Sequence, residues 1–105
     1  MTTALSRFDQ MSLSYTYENN GWAFTNYFDG STRITEMEAR GTLREVVTID
    51  ELRDDIYLIT WADEEMGPIT QVVDFKQERI LAAVPWEGSV EIWPAKITAF
   101  VEGRI

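Results

Sequence analysis

The residues best placed to do chemistry in this chain lie in Tyr15-Thr16-Tyr17-Glu18-Asn19-Asn20-Gly21-Trp22. The segment reads as a strand, a tight turn and the start of a second strand. Alternate side chains of a strand share a face, so Leu13, Tyr15 and Tyr17 point one way and Ser14, Thr16 and Glu18 the other. Two phenols two residues apart on an inward face bring two O–H donors to one point. The chain has no histidine and no cysteine, so these donors carry unusual weight.

That absence excludes a Cys or Ser-His nucleophile, a Cys/His zinc site and His- or Cys-ligated haem. Tyr, Asp/Glu, Arg, two lysines and main-chain groups remain. The glycines are isolated turn residues, so there is no phosphate-cradling loop. Asp63, Glu64 and Glu65 are the one run of acids near a strand end, but neighbours alternate sides, and no metal is expected there. The formal net charge of −9 argues against a nucleic-acid backbone and against an anionic membrane surface. No apolar run is long enough to cross a bilayer, and MTTALSRFDQM lacks the core of a signal peptide. A cytoplasmic setting is expected from this and from the lack of cysteine.

The elements that must hold these groups are short and β-like. Strands are expected near 13–18, 22–28, 31–37, 43–49, 55–62, 69–75, 79–85 and 96–101. Turns fall at Asn19-Asn20-Gly21, Asp29-Gly30, Arg40-Gly41, Gly67-Pro68 and Glu87-Gly88. Residues 49–55 have weak helical potential and are read as a turn, with Asp54-Asp55 in solvent. With 105 residues, the chain makes one domain with one core, residues 1–12 being its flexible N-terminal segment. Eight strands at this spacing suggest a closed meander barrel or a sandwich.

Further segments form a set with the tyrosine hairpin. Arg40 precedes a turn glycine, and Trp61 follows it by 21 residues in Tyr57-Leu58-Ile59-Thr60-Trp61-Ala62-Asp63. Val73-Asp74-Phe75-Lys76-Gln77-Glu78-Arg79-Ile80 then leads into Ala83-Val84-Pro85. The set resembles the N-terminal two-thirds of the phenolic acid decarboxylases, whose hairpin is similar to residues 15–22 with one extra Asn here. It also resembles the shorter proteins related to the molybdenum-cofactor-biosynthesis F protein. The resemblance implies an all-β, eight-stranded antiparallel, lipocalin- or calycin-like barrel that forms a homodimer and works without a cofactor.

Carried over by position, the resemblance implies that Tyr15, Tyr17, Arg40 and Asp63 are catalytic. Trp22, Tyr57, Trp61 and Glu64 are then expected to contact substrate. The implied reaction is non-oxidative decarboxylation of a small aromatic or unsaturated acid. Arg40 would pair with Asp63 or hold a carboxylate, and Asp63, raised by burial, would be the general acid. Two departures are visible: Asp63 stands where the family has glutamate, and the chain lacks the decarboxylases' C-terminal extension. Each residue also has a plain structural reading: the tyrosines edge a core, Arg40 sits in a solvated turn, Asp63-Glu64-Glu65 forms a polar loop and Trp61 fills the core. A ligand-binding barrel without catalysis, or an isomerase or cyclase polarising a carbonyl on the same tyrosines, are the rival functions.

Overall fold

The computed structural model describes residues 4–37 and 40–103. Helix α1 (Ala4–Phe8) precedes nine strands: β1 (Ser12–Tyr17), β2 (Ala23–Asp29), β3 (Thr32–Met37), β4 (Gly41–Val46), β5 (Thr48–Arg53), β6 (Ile56–Asp63), β7 (Gly67–Asp74), β8 (Arg79–Trp86) and β9 (Ser89–Val101). They form one antiparallel sheet in the order β4-β3-β2-β1-β9-β8-β7-β6-β5, curled around a single core. Every sequence neighbour pairs except β4 with β5, the two edges of the sheet. The structure is therefore a curled, barrel-like sheet with one seam. Among the described residues no helix is long and apolar enough to cross a membrane.

Strand alternation carries the core. In β1, Leu13, Tyr15 and Tyr17 are buried and their neighbours are not. In β6 the inward row is Tyr57, Ile59, Trp61 and Asp63, and in β7 it is Ile69, Gln71 and Val73. Ile80, Ala82, Val84, Trp93, Ala95 and Ile97 complete it from β8 and β9.

Nine strands replace the expected eight, because the 43–49 run divides. Val47 turns into the core, and its N–H bonds the Ser31 carbonyl at 2.8 Å. The chain then enters β5, where residues 49–55 were expected to be a turn. β5 has an exposed edge, so Asp50 and Glu51 stay in solvent while β6 supplies the ladder. The last strand is also longer than the expected 96–101. Glu87 (φ 50°) and Gly88 (φ 80°) form a two-residue hairpin turn, and pairing runs unbroken from Trp86↔Ser89 to Arg79↔Lys96.

Residues 1–12 were expected to be a flexible segment. Residues 1–3 lie outside the described residues. Within the remainder, Phe8 and Met11 are fully buried and close one end of the barrel. The Phe8 ring meets Phe28 and Tyr57 edge-on at 5.1 Å each. Arg7 fastens this plug from outside: its guanidinium donates to Asp55 at 2.7 Å and to the Tyr57 hydroxyl at 2.9 Å, pairs with Glu102, and lies 4.6 Å over the Phe75 ring.

Candidate functional site

The end opposite α1 is open. Here the β1–β2, β6–β7 and β8–β9 turns, with Arg40 just before the start of β4, surround a cavity of about 780 Å³. Tyr15, Tyr17, Arg33 and Trp61 belong to its wall, and Trp22, Trp86, Met66 and Arg40 stand around it nearer the turns.

Hairpin chemistry places Trp22. Gly21 takes φ 76°, its N–H bonds the Tyr17 carbonyl at 2.9 Å, and the Asn20 side-chain oxygen accepts from the Trp22 N–H at 2.9 Å. Trp22, 46% exposed, meets Trp93 at 5.8 Å and Trp86 at 6.1 Å, and those two lie 5.3 Å apart. An aromatic trio thus flanks the entrance.

The tyrosine pair converges inside. Their rings meet edge-on at 5.5 Å. Both hydroxyl oxygens accept from the one Gln71 side-chain amide nitrogen, Tyr15 at 3.3 Å and Tyr17 at 3.1 Å. The Tyr15 oxygen also accepts from Arg33 Nη2 at 3.2 Å. With N–H donors on both oxygens and one phenol bonded to the other, one phenol hydrogen remains to donate outward. Burial, followed by the neighbouring Tyr15, pushes the Tyr17 phenol up, so it is a protonated donor at neutral pH.

Arg33 was not among the expected site residues, nor were Gln71 and Glu45. Arg33 is buried, ion-paired to Glu45 on the facing strand β4, and its guanidinium lies 3.9 Å over the Trp61 ring. Its Nε and the Trp61 Nε1 are buried donors without a protein partner. The signal for these residues is present in the sequence: Arg33 shares the inward row of β3 with Thr35, and Gln71 interrupts the apolar row Ile69–Val73. A polar side chain in such a row needs a partner.

Arg40 and Asp63 meet across the seam. Arg40 reaches Asp63 at 3.4 and 3.5 Å and Glu65 at 3.4 Å. The expected raised pKa of Asp63 is reversed. Burial pushes its carboxyl up, but the Met66 and Glu65 amides, at 3.0 and 2.9 Å, and Arg40 outweigh it and hold the group below its usual range. Asp63 thus caps the β6–β7 turn as a carboxylate. As pH falls the unfolded chain takes up the Asp63 proton first. The stabilisation is therefore full above the ordinary value of 3.8 and is lost as pH drops through the lower folded value. In Asp63→Asn the turn amides keep an acceptor but nothing titrates. Its stability deficit against wild type, from urea unfolding, is expected to be constant above about pH 5 and to shrink below that.

Of the other expected contacts, Trp22 and Trp61 line the cavity, and two do not. Tyr57 faces inward but at the plugged end, against Phe8 and Arg7. Glu64 is exposed in the β6–β7 turn, while its neighbour Glu65 borders the cavity. Among the described residues no group of three or more acidic side chains is placed to hold a metal ion.

A curled antiparallel sheet, plugged at one end and holding an aromatic, donor-lined cavity at the other, defines a small calycin-type barrel. The MoaF-like family model matches residues 3–96, and the chain belongs to that family. No curated protein matches it. Among solved structures it is similar to a Burkholderia vietnamiensis protein provisionally named a beta-lactamase, with a TM-score of 0.71 and 14% identity over 91% of this chain and 95% of that one. At that identity the likeness shows the fold alone.

Proposed function

We propose that this barrel binds a small, planar aromatic or unsaturated carbonyl compound with its oxygen on the Tyr15 and Tyr17 hydroxyls. The convergence of both phenols, which line the cavity, on the buried Gln71 behind them carries the reading. A preoriented phenol pair beside aromatic walls suits a flat ligand with one acceptor end.

Decarboxylation of a phenolic acid, the reaction implied by the resemblance, needs a proton delivered to carbon. Asp63 is ionised and engaged by two turn amides and Arg40, which favours binding, or polarisation of a carbonyl, over that lyase step. The test is calorimetric titration with para-coumaric acid, its methyl ester and its methyl ketone, with cinnamate absorbance followed in the same samples. Saturable binding of at least one compound is expected, weakened about tenfold in Tyr15→Phe by loss of one hydrogen bond. Loss of absorbance that Tyr15→Phe abolishes would instead establish the lyase, and binding indifferent to both tyrosines would refute the site.

A further inference from the structure

The charge inventory of the cavity narrows the ligand class. Among the described residues two cations line it, Arg33 and Arg40. Neither is available to an incoming anion. Arg33 is paired with buried Glu45, and Arg40 is shared between Asp63 and Glu65. Glu36 adds a further carboxylate to the lining. The lining thus carries three carboxyl groups, at Glu36, Asp63 and Glu65, and two guanidinium groups, of which Arg33 is already paired with Glu45 behind it, in a chain whose net charge is −9.

A carboxylate entering this space loses hydration and meets like charge. A phenol pair alone does not replace a free cation. An uncharged carbonyl loses far less hydration and needs only a donor, which the tyrosine pair supplies. We propose that the cavity selects the uncharged carbonyl form of its ligand, a ketone, aldehyde or ester, and discriminates against the free carboxylate. The inference rests on the reading of the cavity given above and sets the substrate class for it.

Three probes with the same ring and alkene separate the cases: para-coumaric acid, its methyl ester and its methyl ketone, titrated at pH 7.5. The ketone or ester is expected to bind at least about tenfold tighter than the acid, the factor equivalent to one unfavourable contact of about 1.4 kcal/mol. Glu65→Gln, an exposed position that tolerates change, frees part of Arg40 and is expected to shift the acid-to-ester affinity ratio several-fold toward the acid. An acid that binds as tightly as its ester, or a ratio unmoved by Glu65→Gln, overturns the selectivity while leaving the tyrosine site standing. Binding of none of the three overturns the cavity reading and this inference with it.

Discussion

Arg33→Met is expected to destabilise the fold by about 3–5 kcal/mol, because it leaves the Glu45 carboxylate buried without its partner. Three contacts go together: the ion pair, the hydrogen bond to Tyr15 and the stacking on Trp61. The double variant Arg33→Met/Glu45→Met removes the orphaned charge and puts apolar volume in its place. It is expected to recover most of the loss, since well-packed apolar replacements of buried pairs are commonly neutral or better. Urea unfolding of wild type, single and double variants gives the comparison. A double variant as unstable as the single one would mean that packing around Arg33, rather than charge pairing, holds this part of the barrel.

The second large effect is at the other end. Phe8→Ala empties the centre of the plug, where the ring touches Phe28, Tyr57 and Phe75. Loss of a fully buried phenylalanine costs about 3–5 kcal/mol, much of the stability of a domain this size. A fall in melting temperature of more than about 12 °C is expected. A fall of only a few degrees would show that the helix rests on a barrel that closes without it.

The same contrast between ends explains what could be read from the chain. Alternation alone placed Tyr15 and Tyr17 on one inward face, and the residue types showed that phenols would meet there. Alternation says nothing about depth. Tyr57 and Trp61 share a face of β6, yet four residues of rise separate the plug from the cavity, so only one of them reaches the site. The strand β5 was hidden because an edge strand needs no apolar row, and Thr48–Arg53 has none. Phe8 and Met11 were hidden for the opposite reason: a five-residue helix is too short to show a period, and its burial depends on partners far along the chain. The pKa of Asp63 turned on two backbone amides of a turn whose geometry a sequence does not state.

The seam between β4 and β5 has a mechanical meaning. In a fully closed barrel the circumference is fixed by an unbroken ring of backbone bonds, and widening it breaks a ladder. Here the ladder is interrupted once, between strands that the chain itself joins through Val47, and side chains cross the rest of the gap: Arg40 to Asp63 and Glu65, and Arg33 on Trp61. The girth of this barrel is therefore set at the seam by ion pairs and a stacked ring rather than by a backbone ladder.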